Sequence, residues 1–275
     1  MISLQRVSHF YSGPCGQKIS ALEDVNLNIP RGSFTAIVGP NNSGKSTLGQ
    51  IMVGLLSPSS GQVLIEGLDL AHWDHNLLTR TIGLIFSNPE DQIVFPIVED
   101  DLAFSLESLA MDTLQIEKKV ADILKFLDME EYRHCSIHQL SGGQKQKLAI
   151  AAMVIRGLRY LVLDEPISHL DAKGREEVLT LIKSLHQAGG TIIYLAQRFE
   201  ELVMSDLVVA LVSGRVVWQG SFLELLERPE DMAQWGIEVP PIVRLVKILQ
   251  DKGLAVAHPI YTVDHLIAAL EKLKP

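Results

Sequence analysis

The run Gly39-Pro40-Asn41-Asn42-Ser43-Gly44-Lys45-Ser46 constrains this 275-residue chain more than any other feature. It has the spacing G-x-x-x-x-G-K-[ST]. It stands between the apolar segment Phe34–Val38 and a stretch over 46–56 in which Leu48, Ile51, Met52 and Leu55 recur at helical spacing. Strand, glycine-rich loop, helix is the arrangement it dictates. Small residues let backbone N–H groups turn inward around phosphate oxygens, the helix N-terminus adds its dipole, and the Lys45 ammonium reaches β- and γ-phosphates. The Ser46 hydroxyl is placed for Mg²⁺ and Thr47 for a further phosphate contact. A glycine turn that only starts a helix is the competing reading, and the flanking strand and helix weigh against it.

A second element completes such a site. Tyr160-Leu161-Val162-Leu163-Asp164-Glu165 is an apolar strand ending in two carboxylates at the edge where ligands of open α/β sheets gather. Asp164 suits Mg²⁺, and Glu165, pointing elsewhere, can polarise an attacking water. Alone, Asp-Glu-Pro after a strand is usually a turn; paired with the upstream loop it reads as chemistry. A third element, Leu140-Ser141-Gly142-Gly143-Gln144, precedes a long helical stretch. A serine and two glycines at a helix N-terminus form another anion site, implying a second nucleotide. Ser141 as a plain N-cap accounts for the serine but leaves the glycines and Gln144 without a reason.

The rest of the chain fits an α/β class. The first thirty residues read as antiparallel strands around turns at 13–16 and 30–32, and 160–163 and 191–195 read as buried parallel strands. An inserted helical subdomain is expected over about 88–156, with a helix at 112–127. Ser213-Gly214-Arg215 signals a hairpin between 207–212 and 216–218. Residues 1–220 then form the main domain and 221–275 a small helical appendage, with helices at 222–226, 242–249 and 263–273. There are 33 acidic against 24 basic residues, so a net charge of −9 argues against nucleic acid as a partner. With 47% hydrophobic residues the chain is not disordered, yet no apolar run approaches the ~18 residues that span a bilayer, and the start lacks a basic-then-apolar signal. Cys15 and Cys135 cannot make a disulfide framework; they read as two inert thiols in a reducing compartment.

In order and spacing the three motifs resemble those of the ATP-binding cassette (ABC) ATPases, with Walker A at 39–46, the signature at 140–144 and Walker B at 160–165. The resemblance implies ATP and Mg²⁺ as ligands and a fold with a P-loop core sheet, an antiparallel β subdomain and a helical subdomain. It also implies a head-to-tail dimer in which Ser141, Gly142, Gly143 and Gln144 contact the partner-bound ATP. Tyr11 falls where an aromatic stacks on adenine, and Asp171 where the D-loop crosses the dimer. A narrower likeness, carried by Phe86-Ser87-Asn88-Pro89-Glu90-Asp91-Gln92 and 98–104, is to the ATPase subunits of energy-coupling factor (ECF) transporters, which import vitamins or metal ions. The tail from Pro241 onward is similar to their dimerisation domain. The likeness implies a second ATPase subunit, a transmembrane scaffold and a substrate-binding membrane subunit, with the chain peripheral on the cytoplasmic face of the membrane. Ser87, Glu90, Asp91, Glu99, Asp100 and Asp101 would then meet arginines of the scaffold's coupling helices. A merely solvated acidic face is the other reading of those carboxylates.

Two positions depart from the family pattern. Ser87 stands where a glutamine senses Mg²⁺, and Gln197 where a histidine contacts the γ-phosphate; an amide donates a hydrogen bond but cannot take up a proton. Asn42 replaces a frequent glycine, a milder change. Losing such preorganised groups commonly costs on the order of a hundredfold in rate. The chain's own Walker site is therefore expected to turn over slowly while Ser141 and Asp171 complete a competent site on a paired cassette. A homodimer in which Gln197 and a water substitute is the alternative. Soluble cassette proteins of DNA repair or translation would need coiled-coil arms or tandem cassettes, and an exporter a fused membrane domain or a different tail.

Overall fold

The computed structural model describes residues 1–13, 16–107, 109, 111–254 and 259–271. Cys15 and the end of the helix expected to reach residue 273 lie outside them. Strands β1 (Ile2–Ser12) and β2 (Lys18–Ile29) pair antiparallel, as the sequence predicts, with Ile2 opposite Ile29 and Leu4 opposite Leu27. After the turn at 30–32 the fully buried β3 (Phe34–Val38) runs into the glycine-rich loop and then α1 (Lys45–Met52). That helix stops short of the expected residue 56: Gly54 adopts φ +79°, and the N–H groups of Gly54 and Leu55 return to Ile51 O and Gln50 O, closing it.

Two strands that the apolar pattern did not single out follow: β4 (Ser60–Ile65) and β5 (Leu68–Asp69). Glu66 and Gly67 join them, both in left-handed conformation as a tight hairpin requires. With β1 and β2 they make a four-stranded sheet in the order β2-β1-β4-β5. A short α2 (His75–Thr79), capped by Asp74, leads to β6 (Ile82–Ile85).

The helical insertion comprises α3 (Val98–Glu107), α4 (Thr113–Phe126) and α5 (Gly142–Val154). Asp112 caps α4 through Gln115 N–H, and Val98, Leu102 and Leu106 bury one face of α3. The chain returns through β7 (Tyr160–Asp164), α6 (Ala172–Gln187), β8 (Thr191–Ala196), β9 (Leu207–Val212) and β10 (Arg215–Gly220). The second sheet has the order β10-β9-β3-β8-β7-β6, parallel except for β10. Ser213 and Gly214, at φ +48° and +77°, form the expected hairpin turn. The first β-sheet packs its apolar face on α1 and one face of the second sheet, through Leu4, Leu22 and Ile65 against Ile37, Leu48 and Val162. No helix among the described residues is long and apolar enough to cross a membrane.

The tail forms α7 (Phe222–Leu226), α8 (Pro229–Gln234), α9 (Pro241–Asp251) and α10 (Val263–Glu271). Its packing does not divide at residue 220. Phe222, Leu225, Leu226, Met232, Ile237, Val239 and Val243 belong to the large core that also holds Phe34, Leu163 and Tyr194. Among the described residues of the tail, Val246, Ile260 and Leu266 make a separate cluster, so the packing boundary falls within α9.

Candidate active site

The glycine-rich loop is shaped by close approaches that only glycine allows. A side chain at Gly44, where φ is +103°, would meet Ala21 O at 2.4 Å, and one at Gly39 would meet Leu211 O at 2.0 Å. Asn42 has φ +62°, in the left-handed region that asparagine tolerates better than most residues, so its replacement of a glycine leaves the loop intact. The loop, Tyr11, Ser20, Thr47 and Glu165 border one cleft of about 660 Å³. Tyr11 comes from the antiparallel sheet and shares a hydrogen bond with Thr47, 3.1 Å between hydroxyls.

Lys45 is 5% exposed, and its Nζ donates to Gly39 O at 2.9 Å and Pro40 O at 3.1 Å. Burial pushes the ammonium below the usual lysine range, against the pull of Glu165, Asp164 and Glu201. Glu165 lies with Oε1 3.8 Å from Nζ. It leaves β7 with φ +47°, an unfavourable conformation for a side chain of this kind that turns it away from the strand direction of Asp164. Burial raises the Asp164 carboxyl above its ordinary value, opposed by the Ser46 hydroxyl bonded to it and by the Lys45 charge. A hydroxyl and a carboxylate in contact are a hard oxygen pair that fits Mg²⁺, which binds proteins through one or two carboxylates and completes its shell with phosphate oxygens and water. Among the described residues no three His, Cys, Asp or Glu side chains group around a metal position.

Gln197, just past the end of β8, is exposed and reaches back over the loop, its Nε2 donating to Asn41 Oδ1 at 3.3 Å. Its own N–H, and that of Arg198, are taken by Glu201 Oε2 at 2.9 and 3.3 Å. Glu201 is 3% exposed; burial raises its carboxyl against those two hydrogen bonds. The sequence reading missed it, because Glu200-Glu201 looks like a solvated acidic pair. The available signal was the short turn after a β-strand, with Glu201 three residues beyond Arg198.

The signature residues do not border this cleft. Ser141 caps α5 in a capping box: Gln144 N–H donates to Ser141 Oγ at 3.3 Å and Ser141 N–H to Gln144 Oε1 at 2.8 Å. Gly143 packs on Gly174 of α6. The expectation that capping leaves Gln144 and both glycines without a structural reason is corrected for two of the three: the capping box uses Gln144, and the contact with Gly174 uses Gly143. Asp171 caps α6, its Oδ1 accepting from Gly174 N–H at 2.8 Å.

The acidic cluster separates into distinct roles. Glu90 pairs with Lys145, Glu99 with Arg133 and His134, and Asp91 accepts from the Asn88 amide. Asp101 is buried and its Oδ1 accepts the N–H groups of Val94 at 2.8 Å and Phe95 at 3.0 Å. This corrects its reading as a surface carboxylate: it holds its own chain. Asp100 is exposed, near the exposed rings of Phe95 and Phe104, whose centroids are 5.0 Å apart. Ser87 is half-buried beside Phe86, whose N–H is taken by Gln92 Oε1 at 3.1 Å and whose carbonyl accepts from Gln146 Nε2 at 3.3 Å.

Known proteins match this arrangement. A family model described as ABC transporter matches residues 22–168. The energy-coupling factor transporter ATP-binding protein EcfA1 of Clostridium novyi is 37% identical, covering 100% of this chain and 99% of that protein. EcfA of Syntrophomonas wolfei is 35% identical over 97% of each. Among solved structures, CbiO1 from Clostridium perfringens, part of the ABC transporter complex CbiONQ, superposes with a TM-score of 0.74 at 30% identity, over 90% of this chain and 98% of that one. The dimeric post-hydrolysis state of an ATP-binding cassette bound to ADP and Pi gives 0.72 at 28% identity, over 81% and 99%. With the loop, the strand-end carboxylates and the capped signature helix in one fold, this chain belongs to the ABC transporter family of ATPases.

Proposed function

We propose that the chain is the ATP-binding and hydrolysing subunit of an ECF-type importer, acting on the cytoplasmic face of the membrane with a second cassette, a transmembrane scaffold and a substrate-binding membrane subunit. The observation that carries this is the convergence of Lys45, Ser46 and Glu165 on one cleft, with Asp164 bonded to Ser46, in a chain matched end to end by relatives named as ECF ATPases. In this reading Lys45 and the loop N–H groups hold the β- and γ-phosphates, Tyr11 stacks on adenine, and Ser46 and Asp164 hold Mg²⁺. Bound there, the ion would offset phosphate charge. Glu165 orients and polarises the attacking water, and Gln197 donates its amide to the γ-phosphate. Ser141, Gly142, Gly143, Gln144 and Asp171 close on the nucleotide of the facing cassette. The exposed side chains of α9 and α10, among them Leu245, Ile248 and Ile267, supply the tail's dimer contact. Vitamins or metal ions are the cargo class.

With Ser87 and Gln197 in place of the usual glutamine and histidine, the chain's own Walker site is the slow one and the pairing is with a different cassette. The homodimeric reading is favoured by one observation, the reach of the Gln197 amide over the loop. Affinity capture from detergent-solubilised membranes tests the assembly. Recovery of a second cassette, a multi-span scaffold and a small integral binding protein supports it; recovery of the chain alone, or with soluble partners only, removes it.

A further inference from the structure

Glu201 lies outside the three motifs, is almost completely buried, and spends its carboxylate on a loop two residues long. Burying a carboxylate is costly unless the surroundings compensate it. Here the compensation comes from the N–H groups of Gln197 and Arg198, both on Oε2, and from the Arg198 charge, against the repulsion of Glu165. On the other side the same turn is pinned by Phe199 and Leu202, which are buried in the main core, with the Phe199 ring 5.2 Å from that of Phe222. The Gln197 backbone is therefore held between the end of β8 and Glu201, and only its side-chain torsions are free to reach across Asn41.

We infer that Glu201 is a positioning residue: by accepting the Gln197 and Arg198 N–H groups it fixes the Gln197 amide over the phosphate loop. This rests on the reading that the chain hydrolyses ATP there. An exposed cap of a four-residue turn would satisfy the same donors without burial. What burial adds is rigidity, since the acceptor cannot be replaced by water while the packing holds. A γ-phosphate donor that must stand in for a histidine gains most from such fixing, because its hydrogen bond acts only if the amide is already in place as charge develops.

The test uses the full-length chain assembled with its facing cassette, that cassette's own Walker site being inactivated, in single-turnover hydrolysis of Mg²⁺-ATP, with amide hydrogen exchange at 197–198 measured alongside. Glu201→Ala should lower the rate constant by up to about a hundredfold while the ATP concentration for half-saturation moves less than about threefold. Glu201→Gln, which keeps an acceptor oxygen, should recover to within about threefold of wild type. Glu201→Ala combined with Gln197→Ala should be no slower than Gln197→Ala alone, as residues acting in series are not additive. Exchange at 197 and 198 should accelerate about tenfold or more in the alanine variant and stay at the wild-type rate in the glutamine variant. A glutamine variant as slow as the alanine variant, losses that multiply in the double variant, or unchanged exchange would each overturn the inference. If the wild-type assembly hydrolyses no ATP, the enzymatic reading falls separately, and the exchange rates still decide whether Glu201 fixes the loop. Should the alanine variant not fold, exchange at 197–198 in Glu201→Gln decides the matter: wild-type protection supports the acceptor role and lost protection removes it.

Discussion

Gly143 lies against Gly174 so closely that a side-chain carbon built on Gly143 would stand 2.9 Å from the Gly174 Cα. This contact joins the signature helix α5 to α6, the helix that Asp171 caps. Gly143→Ala should cost about 1–3 kcal/mol through overpacking, read as a lowered Tm, before any effect on catalysis is counted. Gly142→Ala has only the Leu170 side chain at 3.4 Å to displace and should be nearly neutral in the isolated chain. A signature variant that loses activity therefore has to be checked for its fold first.

Lys45 and Glu165 should separate binding from chemistry. Glu165→Gln removes the group that polarises water and should lower hydrolysis by roughly a hundredfold or more while nucleotide affinity, measured by equilibrium titration, stays within about threefold. Lys45→Ala should lose the affinity itself.

Gln197→His restores a side chain that can take up a proton. On the asymmetric reading it should raise single-turnover hydrolysis at the chain's own Walker site by about tenfold, with a new dependence on pH near the histidine range. No change in rate, from a wild-type chain already as fast as ordinary cassettes, would favour the homodimer.

Asp164 carries a pH dependence of definite sign. Its carboxyl is raised in the folded chain, chiefly by burial, so the folded state binds the proton more tightly than the unfolded one. Ionised Asp164 then opposes folding at neutral pH, and the penalty fades as pH falls through the folded value. Asp164→Asn should raise the Tm of the ligand-free chain at neutral pH, lose that gain in acid, and abolish Mg²⁺-dependent hydrolysis. A lower Tm at neutral pH would contradict it.

Neighbouring carboxylates should behave oppositely. Asp100→Lys should leave the unfolding free energy within about 0.5 kcal/mol of wild type, as exposed substitutions do, and release the chain from its membrane assembly. Asp101→Ala removes the buried acceptor of the part-buried Val94 and Phe95 N–H groups and should cost about 1–2 kcal/mol with or without partners. Unchanged co-purification of Asp100→Lys would leave the acidic cluster as surface alone.

Local chemistry made the loop, the 213–214 hairpin and the Asp112 cap legible, because glycine, a left-handed turn and an N-cap each act within a few residues of themselves. What the sequence hid was non-local. Asp101 sits in an acidic run that reads as solvated, and only the doubling back of Val94 and Phe95 turns it inward. Gly143 needs Gly174, thirty-one positions away, to explain it. Glu201 reads as half of an exposed pair until the packing of Phe199 and Leu202 draws it under the loop. In β4 and β5 the apolar residues are few, and the pairing with β1 supplies what the short pattern does not announce.

The tail that appears separable from the sequence touches the phosphate loop itself: Gly236, at φ +72°, lies with its side-chain position 3.6 Å from Pro40. Exchanging C-terminal modules between related cassettes at residue 220 would strip hydrophobic cover from the host and leave this seam mismatched. A workable graft point lies beyond Val243, so the first part of the tail has to be inherited together with the motor it touches.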